Sequence, residues 1–225
     1  MNEQSGRKTL VLTGASRGIG HATVKRFSRE GWRVITCSRK VFDDNCPWPA
    51  GPDDHIKIDL SDPEDVGGAV SEIRHRIEKE GGQLHALVNN AGISPKTDKG
   101  QRLNSMETPM HIWRDVFQVN FFAPIMLARG LFKELKAGKG SIVNVTSIAG
   151  SRVHPFAGKR ADAAIAPGEI ETAILSPGTQ KIVDNIPLRR LGTTDEVAET
   201  IFFLCSESAS YVTGSEIHIN GGQHV

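Results

Sequence analysis

Short apolar runs alternate along this chain with amphipathic stretches, and that order predicts a parallel sheet with helices on both faces. The first run, Thr9 to Leu12, leads through a glycine-rich turn into helical spacing at Ile19, Ala22 and Phe27. Arg33 to Cys37 reads as a second strand and Ile56 to Leu60 as a third. A helix follows: Asp62 can cap it, Pro63 suits its first position, and Val66, Val70, Ile73 and Ile77 line one face before Gly81-Gly82 ends it. Leu84 to Asn89 reads as a fourth strand, and a long helical stretch runs from about His111 to Lys136. Ser141 to Val145 carries no charge, as a strand buried on both faces requires. Thr193-Thr194-Asp195-Glu196 fits a capping box ahead of the stripe Val197, Ile201 and Leu204, and Glu216 to Ile219 is a last strand. No internal repeat is visible, and Phe42 to Asp54, with Pro47, Pro49 and Pro52, is the long irregular stretch of the first half.

Composition narrows the class. A chain of 225 residues with 38% hydrophobic content supports one core, so residues 1–225 read as a single domain. A formal net charge of +1 gives no electrostatic reason to expect nucleic acid or an acidic membrane. The polar start, Met1 to Lys8, has no signal core, and no run reaches transmembrane length. Cys37, Cys46 and Cys205 are too widely spaced for a disulfide framework or a zinc pattern, so a reducing, cytoplasmic setting is expected. The eight histidines are scattered, and no metal site is expected.

The candidate chemistry begins at Thr13-Gly14-Ala15-Ser16-Arg17-Gly18-Ile19-Gly20, where a strand turns into a helix. A helix N-terminus offers unpaired N–H groups and a partial positive charge, and glycine removes the side chains that would hold a pyrophosphate away. Cofactor choice follows from the second strand, which ends Cys37-Ser38-Arg39-Lys40 without the acid that would bond a ribose 2′-hydroxyl. Arg39 offers a planar fork for a 2′-phosphate, Ser38 adds a hydroxyl, and Arg17 can reach the same group, so NADP is expected in preference to NAD. The plainer reading of Arg39 and Lys40 is a pair of solvated loop charges. Pro124 lacks an N–H, so the carbonyl of Asn120 loses its helical partner; it either holds a water at a site or marks a simple kink. Ser147 follows the fifth strand at its carboxyl end, where ligands bind in such sheets, although a strand-end serine also forms turns.

The ordered series Thr13 to Gly20, Asp59-Leu60, Asn89-Asn90-Ala91-Gly92, Asn120, Asn144-Val145-Thr146-Ser147 and Pro167-Gly168 resembles the short-chain dehydrogenase/reductase family over nearly the whole chain. The resemblance implies an α/β fold, a doubly wound Rossmann sheet of about seven strands, with a nicotinamide dinucleotide at the carboxyl ends of the strands. It implies that Gly14, Gly18 and Gly20, with Ser16, Arg17 and Ile19, form the turn over the pyrophosphate. Asp59 would bond the adenine, with Leu60 beside it. Asn90, Ala91 and Gly92 would pass the ribose, and Thr146, Pro167, Gly168, Ile170 and Thr172 would border the nicotinamide and phosphates. Ser147 would bond a small-molecule carbonyl or alcohol, and Asn120 would position a water and the catalytic lysine. A homodimer or homotetramer is implied as well.

One part of the family pattern is missing. Its chemistry needs a tyrosine about a dozen residues after the serine and a lysine four residues further, which lowers the phenol pKa for general acid/base work. The single tyrosine here, Tyr211, stands 64 residues after Ser147, and Ser215 occupies the position four beyond it. Lys159 and His154 lie in the right region without restoring the motif. From Ser147 to Pro167 there are twenty positions, where a loop, a crossover helix and a sixth strand are expected. Ser151 to Gly158 reads as loop and Lys159 to Ala166 as at most a strand, so that helix is absent and one sheet face would be left apolar and bare. Gly168 to Leu191 reads as a substrate lid. Two functions fit: an NADP(H)-dependent oxidoreductase interconverting carbonyl and secondary alcohol, or an inactive dinucleotide-binding protein.

Overall fold

The computed structural model describes residues 6–41, 52–98, 103, 106–148, 163–173 and 183–223. Among them, seven strands form one all-parallel sheet: β1 (Thr9–Thr13), β2 (Arg33–Ser38), β3 (His55–Lys57), β4 (Ala86–Asn89), β5 (Ser141–Val145), β6 (Ala163–Pro167) and β7 (Ser215–Ile219). Their spatial order is β3-β2-β1-β4-β5-β6-β7. The order reverses between β1 and β4, which places a ligand crevice above the carboxyl ends of those two strands. The expected α/β, doubly wound fold is therefore observed.

Alternation along the central strands builds two cores. Leu10, Leu12, Val34 and Val88 face α1 (Gly18–Arg29) and α6 (Thr194–Leu204), where Phe27, Val197 and Ile201 complete the layer. Phe27 meets Trp32 edge to face with ring centroids 5.0 Å apart. Val11, Ile35 and Leu87 face the other way, onto α2 (Pro63–Glu78) and α4 (Ala123–Gly130), through Val66, Ile73, Ile77 and Leu127. The local signals work as expected. Asp62 accepts from the N–H of Glu64 at the start of α2, and Thr193 and Glu196 form the full capping box of α6. Gly82, at φ +70°, closes α2 by donating to the carbonyl of Ile77 at 3.0 Å.

Two expectations need correction. The third strand is His55–Lys57, not Ile56 to Leu60, because Asp59 opens a turn: its carbonyl accepts from Asp62 at 3.1 Å. The long helical stretch is broken into α3 (Met110–Phe117), a π-helical turn over Gln118–Phe122, α4, and α5 (Phe132–Gly138). In the π turn the N–H of Ala123 reaches back five residues to Gln118. Widening the turn lets carbonyls look past the missing N–H of Pro124 instead of losing their partners.

The readings for Ser151 to Gly158, for His154 and for Lys159 lie outside the described residues, as does most of Phe42 to Asp54. What is described is that β6 runs parallel to β5, with Asn144 beside Ala164 and Val145 beside Ile165. No helix among the described residues is long and apolar enough to cross a membrane.

Candidate dinucleotide site

The glycine turn after β1 is interlocked with the turn after β4. Thr13 Oγ1 accepts from the N–H groups of Asn90 and Ala91 at 3.1 and 3.0 Å. In return, Asn90 Nδ2 donates to the carbonyls of Thr13 and Gly14 at 3.0 and 3.1 Å. The approach leaves no room for side chains. A Cβ on Gly14, itself at φ +70°, would lie 2.8 Å from Ala91 Cα, and one on Gly20 would lie 2.1 Å from the carbonyl oxygen of Gly14. Thr13 was not singled out from the sequence, though a buried hydroxyl at the end of the first strand, opposite Asn90, was the available signal.

The helix that follows is left open at its start. Arg17 precedes α1 in extended backbone (φ −163°, ψ 171°) with no side-chain cap among the described residues, in contrast to Asp62 and Thr193 at α2 and α6. Gly18 sits beside Thr172, whose Cγ2 would be 3.4 Å from an added Cβ. Thr172 Oγ1 is buried and has no hydrogen-bond partner among the described residues. Open backbone donors, a helix dipole and an orphaned hydroxyl form a cradle that fits a pyrophosphate. Ser16 and Arg17 are exposed at its mouth, and Ile19 is half-buried.

At the other end of the crevice, Ser38 is buried while Arg39 and Lys40 are exposed. Asp59 Oδ1 accepts from the hydroxyl and N–H of Ser61 at 2.7 and 2.9 Å. Those bonds, helped by the nearby charge of Arg39, hold the Asp59 carboxyl below its ordinary pKa. Arg39 and Asp59 thus face the same region, and Leu60 is buried beside them.

The strand ends past the switch point are also tied. Asn89 Nδ2 donates to Asn144 Oδ1 at 2.8 Å across β4 and β5. The Asn120 side chain grips the backbone of Ile93, accepting from its N–H at 2.8 Å and donating to its carbonyl at 2.9 Å. The structure shows that the Asn120 side chain clamps the loop that carries Ala91 and exposed Gly92, a contact with Ile93 to which nothing in the sequence points. Thr146 gives both its N–H and its hydroxyl to the carbonyl of Ile165, at 2.8 and 2.9 Å, which ties the end of β5 to β6. Ser147 is exposed at the carboxyl end of β5. Pro167 is buried, and the N–H of Gly168 donates to Ile219 at 3.0 Å. Ile170 is buried in a backbone bridge to Gly192, in which Glu171 donates to Gly192 at 2.8 Å and Gly192 to Glu169 at 3.0 Å. Residues 174–182 of the expected lid lie outside the described residues.

Tyr211 is fully exposed and precedes β7, at the amino ends of the parallel strands. The crevice lies at the carboxyl ends, so the tyrosine is not part of it. No group of three or more acidic, histidine or cysteine side chains able to hold a metal exists among the described residues.

Comparison with known proteins agrees with this geometry. Residues 8–159 match the family model described as short chain dehydrogenase, and residues 160–224 match the one described as enoyl-(acyl carrier protein) reductase. Protein FixR of Bradyrhizobium diazoefficiens is 55% identical over 244 residues, covering 97% of this chain and 87% of that protein. The 3-oxoacyl-[acyl-carrier-protein] reductase FabG of Aquifex aeolicus is 31% identical, with 96% of each chain covered. An oxidoreductase of the short-chain dehydrogenase/reductase family from Brucella ovis, in complex with a partially ordered NAD, superposes with a TM-score of 0.78 at 63% identity, covering 95% of this chain and 100% of that one. The FixR alignment spans 244 positions against a chain of 225 residues, so at least 19 positions have no counterpart here. The two family models meet at residues 159 and 160, inside the short connection between β5 and β6.

Proposed function

This chain belongs to the short-chain dehydrogenase/reductase family, and we propose that it is an oxidoreductase using NADP(H) to interconvert a carbonyl and a secondary alcohol. The observation that carries the reading is the cradle between the uncapped start of α1, Gly14, Gly20 and the orphaned Thr172 hydroxyl. A bound nicotinamide dinucleotide supplies or accepts the hydride. The backbone N–H groups at the start of α1 and the Thr172 hydroxyl hold the pyrophosphate. Arg39 and Arg17 hold the 2′-phosphate, which no acid at the end of β2 repels. Asp59 meets the adenine, and Ser147 donates to the substrate oxygen. Asn120 acts on the shape of the crevice by fixing Ile93.

The position of Tyr211 favours a second reading, in which the chain binds the dinucleotide without turning over substrate. Protonation of the substrate oxygen then has no phenol to serve it. The Brucella relative was crystallised with NAD, so NAD is the competing cofactor. The test is a fluorescence titration with NADPH and NADH, on protein whose intact mass agrees with 24.4 kDa, followed by turnover on a panel of carbonyl compounds. Binding of NADPH at least about tenfold tighter than NADH is expected, the worth of a charge-assisted hydrogen bond or two. Equal or reversed affinities would refute the NADP assignment. Turnover decides for the oxidoreductase, and tight binding with none decides for the binding protein.

A further inference from the structure

The bend that carries Arg39 is held by a side chain from another strand. After Ser38 the chain turns back, and the carbonyl of Lys40 receives two hydrogen bonds. One comes from Ser38 Oγ at 3.2 Å, within the bend itself. The other comes from His55 Nε2 at 2.8 Å, at the start of β3. A carbonyl only accepts, so Nε2 donates. The other ring nitrogen, Nδ1, lies 2.8 Å from Thr36 Oγ1, in the register pair Thr36–His55 of β2 and β3, and that hydroxyl also lies 3.3 Å from the carbonyl of Asp54. Arg39 is thus the apex of a short bend whose closing carbonyl is pinned from two sides.

The base of this clasp is rigid. His55 stands beside Asp54, whose carboxylate pairs with the buried Arg33 at 2.9 Å. The carbonyl of His55 accepts from Arg76 of α2 at 3.1 Å, and Arg76 also donates to the carbonyl of Asp53. A residue whose ring meets β2 and whose carbonyl is held by α2 therefore sets the backbone of an exposed bend. That matters for recognition because a preset arginine loses less freedom when it closes on a phosphate.

We propose that His55 is a positioning residue for cofactor choice: by pinning the carbonyl of Lys40 it presents Arg39 to the 2′-phosphate of NADP(H). The proposal rests on the reading of Arg39 given above. His55 acts through the backbone of the bend that carries Arg39, so its effect should fall on the phosphorylated dinucleotide alone.

The experiment compares NADPH and NADH affinities, by fluorescence titration, for the full chain and for His55→Ala, His55→Gln, Thr36→Val, Arg39→Ala and the Arg39→Ala/His55→Ala pair, with a thermal melt of each. His55→Ala should weaken NADPH about fivefold and leave NADH unchanged, the scale of ordering one long side chain. The amide of His55→Gln reaches the same carbonyl and should restore most of the preference. Thr36→Val, which removes the hydroxyl that orients the ring, should move the ratio in the same direction by about twofold and carries the test if His55→Ala does not fold. Arg39→Ala should lower the preference by about tenfold or more, and adding His55→Ala to it should lower it no further. If Arg39→Ala leaves the ratio unchanged, the NADP reading fails and this proposal with it. If Arg39→Ala lowers the ratio but His55→Ala leaves it unchanged, or weakens both cofactors equally, the positioning role alone is overturned.

Discussion

The two halves of the sheet are unequally finished. In β1, β2 and β4 every residue is buried, and helices cover both faces. In β5 only Val143 is fully buried, and β7 alternates half-buried with exposed positions. The first half holds the interlocked turns of the dinucleotide cradle. The second half is where the resemblance places a tyrosine and a lysine, and there the single tyrosine, Tyr211, stands exposed ahead of β7. The interlocked turns of the cradle stand on the fully buried strands β1 and β4, and Thr172 joins them from beyond β6. On β7, Glu216 and His218 turn outward at 3.6 Å from each other. Exposed apolar side chains gather instead on the π turn and α4, at Phe121, Phe122 and Ile125.

Core truncations should separate the halves most strongly. Ile35→Ala, at a fully buried position of β2, should cost about 3–4 kcal/mol, while Ile217→Ala on half-buried β7 should cost about 1. Urea denaturation measures both, and equal costs would show that the second half is as well packed as the first. Next in size is Gly20→Ala. Its Cβ would meet the carbonyl oxygen of Gly14 at 2.1 Å, and the backbone must move. A loss of about 2–3 kcal/mol is expected, together with loss of the NADPH titration signal. Retained binding would mean that the cradle is not where the dinucleotide sits.

Most of the first half, its third strand excepted, is legible in the sequence. Each signal there acts over a few residues: the apolar runs of β1 and β2, the cap Asp62, the glycines whose missing side chains the turn requires. What it hid depends on distance. The Asn120 clamp on Ile93 spans 27 residues, and the Thr13 link to Ala91 spans 78. The break of the long helix was half legible: Pro124 announces a disturbance, but not whether a kink or a π turn accommodates it. The third strand was overextended because Ile58 and Leu60 are apolar and buried yet lie in the connection after β3.

A smaller effect probes the cradle without disturbing its backbone. Thr172→Val keeps the shape and removes the orphaned buried hydroxyl. The protein without ligand should become more stable by up to about 1 kcal/mol, since an unmade buried hydrogen bond no longer has to be desolvated. NADPH should bind several-fold more weakly. A variant that is less stable by itself would show that the hydroxyl already has a partner in the protein.

The smallest effect concerns the support under Ile170. Glu196 accepts from Arg190, at 2.9 and 2.5 Å, and from the N–H of Thr193 at 2.8 Å. The arginine first, then that N–H, push its pKa from 4.5 down to about 2. The folded value is the lower one, so the contribution to stability is present above about 4.5 and is lost as pH falls toward 2. Because the pair is exposed, solvent screening keeps its worth to a fraction of a kcal/mol, whereas Thr193→Ala should cost about 1 kcal/mol through the lost cap. Glu196→Gln should flatten the fall in melting temperature between pH 4.5 and 2. NADPH affinity at neutral pH should stay within about twofold of the parent chain, since Gly192 holds Glu169 and Glu171 by backbone hydrogen bonds that do not titrate. A large affinity loss in Glu196→Gln would instead make the α6 cap part of the cradle and erase the boundary between the two halves.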